Sequence, residues 1–291
     1  KKDGDWLGEN IISVNGINFQ SGTELGPAIA SFGQIVYVAY ILESLPKQIA
    51  FYRSTDGGLT FTESITAYDL GNDLAEGIDV MVLPDGNPVI AFIHYGPGWV
   101  DADQVVIRSY DGGETFTDLI SIDDTPCECC TPTLIAGAST YGVSYRDNDF
   151  DIRTFKVRVS SNNAANFAEA VETDPTNWEI DLCPASSSDG FIIGDTLFST
   201  WMSNPSTLAQ VFTSKTHLGE ESIIEWSEVD FMDNYGSQNH PKMDGDSDTQ
   251  VIVWVEYRES KKDIYAVLIE NGFQGSSFSV TQGDSIEHKE S

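Results

Sequence analysis

The apolar positions of this chain fall in short, alternating or near-continuous runs. "GQIVYVAYI" (33–41), "NPVIAFIHY" (87–95), "YGVSYR" (141–146), "DTLFSTWM" (195–202) and "TQVIVWVEY" (249–257) are rich in β-branched and aromatic residues. Such residues suit the pleated, partly buried surface of a strand. No stretch carries three turns of helical apolar periodicity, and clusters of Gly, Asn, Asp and Ser separate the runs. The pattern predicts an all-β chain of many short strands.

The runs recur with a period. "RSTDGGLTFT" (53–62) returns 55 residues later as "RSYDGGETFT" (108–117), and a worn copy, "SSNNAANF", starts at Ser160. "TSKTHLGEE" (213–221) and "IENGFQGSSF" (269–278) hold the next two slots in degenerate form. A proline marks the start of most units, at Pro27, Pro132, Pro184 and Pro241, and the unit between the first two begins near "EGIDVMV" (76–82). Five repeats follow, over about 24–70, 76–122, 127–174, 181–230 and 238–284, each readable as four strands. Length alone would suggest about two domains, but repeats of roughly fifty residues and four strands are blades of one β-propeller. The domain therefore spans 1–291.

The boxes carry a resemblance. S-x-D-x-G-x-T-F between the third and fourth strands of a blade is the Asp box, or BNR repeat, of sialidase-like propellers. Ser54, Asp56, Gly58, Thr60 and Phe61 match it, as do Ser109, Asp111, Gly113, Thr115 and Phe116. The local physics is structural: Asp caps a tight turn, Gly supplies positive φ, and the aromatic ring plugs between strands. The resemblance implies a six-bladed plan. On that plan the N-terminal 1–20, with the strand "NIISVNG" (10–16), closes a last blade that "IEHKES" (286–291) enters; the alternative is that the five blades close on themselves and both ends are decoration. The stretch from "CECCTP" through "YGVSYRDNDFDIR" to "DLCP" is also similar to a bacterial subgroup of sialidase-like proteins with a C-x-C-C cluster and a later C-P. That subgroup implies a special site and no particular reaction.

Charge narrows the partners. Forty-six acidic against fifteen basic residues give a net charge of −31, which excludes nucleic acid and anionic membrane surfaces as partners. No run of eighteen apolar residues is present to cross a membrane. The start, "KKDGDW", is similar to the polar stretch that follows the lipid-bearing cysteine of many bacterial lipoproteins. That likeness implies an exported chain, periplasmic, cell-surface or extracellular, with a lipid anchor.

Propeller geometry sorts the remaining chemistry by face. Blade strands are antiparallel, so the connections into each innermost strand share a face with the loops after each second strand. Cys127, Cys129 and Cys130 precede the innermost strand of the third repeat, Cys183 that of the fourth, and His240 holds the slot in the fifth. His94, Tyr95, Arg146, Asp147, Met202 and Arg258 close second strands on the same side. The expected site is thus a Cys/His-lined mouth opposite the Asp boxes.

Three chemistries fit it. Thiolates with His favour copper or zinc, the ligands being Cys127, Cys129, Cys130, Cys183 and His240, with His94, Met202, Met243 and His288 as extras. Alternatively, the four cysteines are staples, with Cys127–Cys130 and Cys129–Cys183 the more plausible pairing. A sialidase-like glycoside hydrolase is the third reading, with Arg146, Asp147 and Arg258 as catalytic candidates. The family's N-terminal F/Y-R-I-P motif is absent, so its catalytic set cannot be transferred. A glycan- or protein-binding face is the non-catalytic form, with His94, Tyr95 and Trp99 as ligand contacts. Trp201, inside "FSTWM", reads as core. The acidic loop 243–250 is a turn, and calcium is the lesser expectation there because the EF-hand pattern is missing.

Overall fold

In the computed structural model, which describes residues 18–22, 24–44, 46–219, 224–229, 236–258 and 261–281, the alternating runs become strands of five antiparallel sheets. The first contains β1 (Ala28–Phe32), β2 (Ile35–Leu42), β3 (Gln48–Ser54) and β4 (Ile65–Asp69). The second contains β5 (Leu74–Val82), β6 (Pro88–Gly96), β7 (Val100–Arg108) and β8 (Ile120–Asp123). The third is β9 (Thr133–Ala136), β10 (Tyr141–Arg146), β12 (Phe155–Ser160) and β13 (Val171–Glu172), while β11 (Ile152–Arg153) leaves it to pair with β14 (Trp178–Glu179). The fourth is β15 (Asp189–Ile193), β16 (Thr196–Ser203), β17 (Gln210–His217) and β18 (Ile224–Glu228). The fifth is β19 (Ser237–Gly245), β20 (Thr249–Arg258) and β21 (Lys261–Glu270), with β22 (Phe273–Gln274) and β23 (Phe278–Ser279) both on β21.

Successive sheets bury their faces against each other, which explains the near-continuous apolar runs of the second strands. On β6, Ile90 and Phe92 pack toward Tyr37, Ala39 and Phe51 of the first sheet. Val89 and Ala91, on its other face, pack toward Tyr141, Val143 and Tyr145 of the third. Ile135 and Val157 meet Ile192 and Leu197 between the third and fourth sheets, where Phe155 joins the stacked Trp201 and Phe212. Phe198 and Val211 meet Ile252, Trp254 and Val267 between the fourth and fifth.

The first and fifth sheets each keep one face outside this series. Val38, Tyr40, Leu42, Ala50 and Tyr52 form their own cluster on the first, where Ile29 is 69% exposed. On β20, Ile252 and Trp254 point inward while Val251, between its neighbours, is 42% exposed. Among the described residues no buried cluster joins those two faces. The stretches 10–16 and 286–291, expected to complete a last blade, lie outside the described residues. Residues 18–20 run beside β2: the Gln20 N–H donates to the Ile41 carbonyl (3.0 Å), and the Glu43 N–H to that of Asn18 (3.1 Å).

The innermost strands β1, β5, β9, β15 and β19 surround a central hollow of about 1160 Å³. Side chains hook one innermost strand to the next. The Asp79 carboxylate accepts the Leu134 N–H (2.7 Å), Thr133 Oγ1 donates to the Ser188 carbonyl (2.7 Å), and the Asp189 carboxylate accepts the Met243 N–H (2.9 Å).

Each Asp box is a closed hydrogen-bond network. Ser54 Oγ donates to Asp56 Oδ1 (2.7 Å) and accepts the Gly58 N–H (2.9 Å), and Asp56 takes both the N–H (2.9 Å) and hydroxyl (2.6 Å) of Thr60. Ser109, Asp111, Gly113 and Thr115 repeat the arrangement. The worn copy keeps part of it, with Ser160 Oγ donating to Asn162 (2.8 Å) and accepting the Ala164 N–H (3.0 Å). The boxes touch the turns after the innermost strands: the Gly57 N–H donates to the Gln34 carbonyl (2.9 Å) and the Gly112 N–H to Asn87 Oδ1 (2.8 Å). This is one face of the molecule.

Gly113 shows why the box needs glycine. Its φ is +89°, and a Cβ there would lie 2.4 Å from the Phe51 ring. At Gly33, with φ +62°, nothing lies within 4 Å of the added carbon. Gly113→Ala should therefore destabilise by roughly 2–4 kcal/mol and Gly33→Ala by about 1 kcal/mol, read from chemical denaturation. Equal losses would contradict the packing.

Carboxylates shift in two directions. Hydrogen bonds from Thr60 and Ser54 hold Asp56 down at about 2, and Thr115 and Ser109 likewise depress Asp111. Asp79 is half-buried by surface, yet the channel wall encloses its carboxyl, and that desolvation pushes it up to about 6 against the N–H groups of Leu134 and Val80. Burial also raises Asp174 and Asp189. A depressed carboxyl contributes stability above its unfolded value and loses it as pH falls through the folded one. A raised carboxyl loses stability as pH climbs from the unfolded to the folded value. The urea midpoint should peak between about pH 4 and 5 and fall on both sides. A steady climb from about pH 5 to 7 would show that Asp79 is not desolvated as described.

Candidate functional site

The face opposite the Asp boxes is built by connections. The loop after β8 crosses the end of β10, where the Cys127 N–H donates to the Arg146 carbonyl (2.7 Å) and the Asn148 N–H to that of Thr125 (3.0 Å). The Tyr95 hydroxyl, at the end of β6, donates to the Glu128 carbonyl. These contacts fix the cysteine loop between the second and third sheets.

The sulfurs are partitioned. Cys129 and Cys183 form a disulfide with Cα atoms 6.2 Å apart, joining the loop before β9 to the loop before β15. Cys127 and Cys130 are buried and lie outside that bond, with sulfurs 2.6 Å apart, and Cys127 Sγ lies 3.9 Å from Cys129 Sγ. The hydrogen bond from Cys130 and the charges of Arg146 and Arg153 pull the Cys127 thiol down to about 7, while burial pushes Cys130 up. Arg146 is fully buried. Its Nη2 donates to the Met202 carbonyl (2.7 Å), its guanidinium lies over Phe155 (4.1 Å), and its Nε and Nη1 have no partner.

Above the disulfide is a pocket of about 400 Å³ lined by Glu76, Tyr95, Trp99, Glu128, Arg153 and Asp181, with Leu182 and both bonded cysteines. Trp99 is 52% exposed, has a φ of +64°, and stands edge-on to Tyr95 with centroids 5.0 Å apart. Glu76 is raised by burial and by the nearby Glu128 and Glu43 charges. Three carboxylates and one guanidinium make this rim acidic.

A second constellation faces the central hollow. Glu24 Oε1 pairs with His240 Nδ1 (2.7 Å), and Glu24 Oε2 accepts both the N–H and hydroxyl of Ser187 (2.6 Å each). Lys242, Asp79 and Asp189 line the same hollow.

The expected residues therefore separate. The cysteines gather with Tyr95 and Trp99, but His240 sits on the channel side with Glu24. His240 also lies in a bulge within β19, not before it, because the strand begins at Ser237, opposite Tyr257. His94 pairs with Asp73 (3.1 Å) and lines neither cavity. Arg146, Asp147 and Arg258 also line neither: Asp147 pairs with Lys156, and Arg258 pairs with Glu256 over Tyr265. Met202 and Met243 are core, Trp201 is fully buried, and His288 lies outside the described residues. The acidic loop 243–250 holds the turn between β19 and β20, where Asp246 accepts the N–H groups of Asp248 (2.9 Å) and Thr249 (2.8 Å). Sequence reasoning missed Glu24, Ser187 and Asp181, while Arg153, one of the three arginines the repeat phase leaves on this face, does line the pocket. Sequence reasoning also missed Asp79 and Asp189, although superposing the repeats would have put both at one position of the innermost strand.

No family model matches the chain, and none of the curated proteins does. Solved structures do. The chain is similar to a polysaccharide lyase of family PL25, an ulvan lyase, with a TM-score of 0.59 at 11% identity over 94% of this chain and 75% of that one. It is also similar to an α-L-arabinanase from Penicillium chrysogenum complexed with arabinobiose, with a TM-score of 0.52 at 14% identity over 91% and 97%. A xylan β-1,4-xylosidase from Bacillus halodurans aligns at a TM-score of 0.46 and 9% identity over 89% of this chain, which spans only 55% of that enzyme. At these identities the likeness is one of fold, and the chain is an all-β propeller.

The Cys129–Cys183 bond closes a loop 54 residues apart in sequence. Cys183→Ser should lower folding stability by about 2–4 kcal/mol under non-reducing conditions. Urea denaturation reads this, and an unchanged midpoint would show that the sheets already hold the mouth.

Proposed function

We propose that the chain is an exported Asp-box propeller that binds neutral glycan chains in the pocket beside Trp99. The observation that carries this reading is the exposed indole, held at positive φ at the rim of a concave site of ligand-sized volume. An aromatic face offers a sugar ring apolar contact, and the surrounding carboxylates accept its hydroxyls. The rim charge and the net charge of −31 disfavour an acidic polymer. A chain such as the GlcA–Rha3S repeat, to which an ulvan lyase of this fold was bound, would be repelled. Carbohydrate as the ligand class is supported by the polysaccharide lyase and the arabinanase that share the fold. Membership of the Asp-box family is supported by the two identical box networks, and export by the Cys129–Cys183 bond, which persists in oxidising compartments.

Two finer readings are not adopted. Arg146, Asp147 and Arg258 line neither cavity, so no hydrolytic set is assigned. A copper or zinc ion would need thiolates, and the Cys129–Cys183 bond withdraws two of the four.

Trp99→Ala should weaken binding to a neutral oligosaccharide about tenfold, the equivalent of about 1.4 kcal/mol. Trp226→Ala, on the outer strand β18, should leave it unchanged. Isothermal titration after a neutral and acidic glycan array reads both. Wild-type binding only to acidic glycans, or Trp99→Ala binding as wild type, would overturn the reading.

A further inference from the structure

The connection from β10 to β12 is a fastened hairpin. The Asp147 N–H donates to the Thr154 carbonyl (2.8 Å), and Asp149 and Ile152 each donate an N–H to the other's carbonyl (3.1 and 3.0 Å). The Asp151 N–H donates to Asn148 Oδ1 (3.1 Å), and the Asp151 carbonyl accepts the Ile180 N–H (2.8 Å). Ile152 and Arg153 lie opposite Glu179 and Trp178, which ties the hairpin to the segment before β15.

At the tip, Phe150 and Asp151 have φ of +50° and +69°. Two left-handed residues between a reciprocally bonded pair make the tight turn that selects Asn-Gly, because a Cβ is penalised there. Phenylalanine suits that place poorly. Its ring is also 95% exposed, more than any other large apolar side chain among the described residues. The side chain therefore buries almost nothing that would offset the strain. Strain held with no local return points to a contact made outside the chain.

The tip stands beside the Trp99 pocket. Arg153, on the returning strand of the hairpin, lines that pocket, and so do Asp181 and Leu182 of the segment to which the hairpin is tied. Phe150 precedes Arg153 by three residues, a span of at most about 11 Å. Asp149, Glu179 and Asp181 are exposed along this path.

We propose that Phe150 is an outer stacking platform for a neutral glycan whose inner sugar occupies the Trp99 pocket, so that the protein favours long chains over short ones. This rests on the glycan reading above and adds where the chain leaves the pocket. The aromatic ring takes the apolar face of a sugar, whose hydroxyls stay in water or reach the flanking carboxylates. Those carboxylates decide among partners. A protein docked on Phe150 would bury them and would have to supply cations to pair with them. Anionic lipid headgroups would be repelled. A neutral polyhydroxyl chain leaves them hydrated.

The test is titration calorimetry on the full chain. The probes are the disaccharide and hexasaccharide of the neutral glycan that gives the strongest wild-type signal on the array. Phe150→Asn is the deciding variant. Asn tolerates the left-handed turn, so the urea midpoint should equal or exceed that of wild type. Wild type should bind the hexasaccharide about fivefold more tightly than the disaccharide. Phe150→Asn should lose that gain and bind the disaccharide as wild type does. Phe273→Ala, at a ring 80% exposed on β22, should change neither. Three results would overturn the proposal: no gain in affinity with chain length, a gain that Phe150→Asn keeps, or equal weakening of both sugars by Phe150→Asn, which would make the hairpin a prop for the pocket wall. Binding to phosphatidylcholine vesicles that Phe150→Asn abolishes would also overturn it, in favour of a membrane surface. If no neutral glycan binds, the pocket reading falls and takes this one with it. Binding of both sugars that needs Trp99 and ignores Phe150 removes this one alone.

Discussion

The molecule is organised by one constraint: its second strands are apolar on both faces. A strand such as β6, buried on both sides, cannot be satisfied by one partner layer, so every interior sheet needs a neighbour on each side. Twisted four-stranded sheets meet that need only when set around an axis. The innermost strands then converge around the central hollow, and the hooks from Asp79, Thr133 and Asp189 tie β5 to β9, β9 to the start of β15, and β15 to β19. Burying those carboxylates is costly in itself, which is why each accepts backbone N–H groups.

Convergence at the axis divides the two faces. On the box face the Ser, Asp, Gly and Thr of each box satisfy one another within a few residues, and the longer bonds, from Arg53 Nη1 and the Tyr37 hydroxyl to the Gly112 carbonyl, join the second box to the neighbouring first sheet. The connections on the other face have no such local closure. They draw partners from afar, with Glu24 bound to Ser187 and His240, Thr131 to Glu24, and Cys129 to Cys183. Long-range partners let residues distant in sequence gather as a site, and they make the face depend on the whole ring being formed.

This division also sets what was legible in the sequence. Strands, repeat boundaries and boxes rest on local rules, namely alternation, turn residues and a motif within one turn, and they could be read from single segments. The face of the cysteine cluster followed from repeat phase. Which groups would touch did not. His240 and the cysteines share a face, but a bulge in β19 turns His240 toward the channel and Glu24 instead of toward the sulfurs. Arg146 closes β10 beside the site yet points into the core, where Phe155 and the Met202 carbonyl take its guanidinium. Alternation gives the side of a sheet and not the reach of a long side chain. Glu24 had no marker at all, because its partners lie 163 and 216 residues away.

Backbone conformation points to the same face. In the two intact boxes the left-handed positions are taken by Gly57, Gly58, Gly112 and Gly113, where the conformation carries no side-chain penalty. On the opposite face Glu24, Trp99, Asp101, Phe150, Asp151, Asn177, Ala185 and His240 adopt it. At about 1 kcal/mol each, their strain would approach the net stability of an ordinary domain, about 5–15 kcal/mol. Glycine would relieve it, as in the boxes. That residues as large as Trp99 and His240 stand there instead means that their side chains contribute what glycine could not. For His240 one such contribution is the contact of its Nδ1 with Glu24 Oε1 on the channel side. Trp99 touches Tyr95 along one edge and leaves half its surface to solvent, so packing alone does not explain the strain it carries, and a ligand against its open face would.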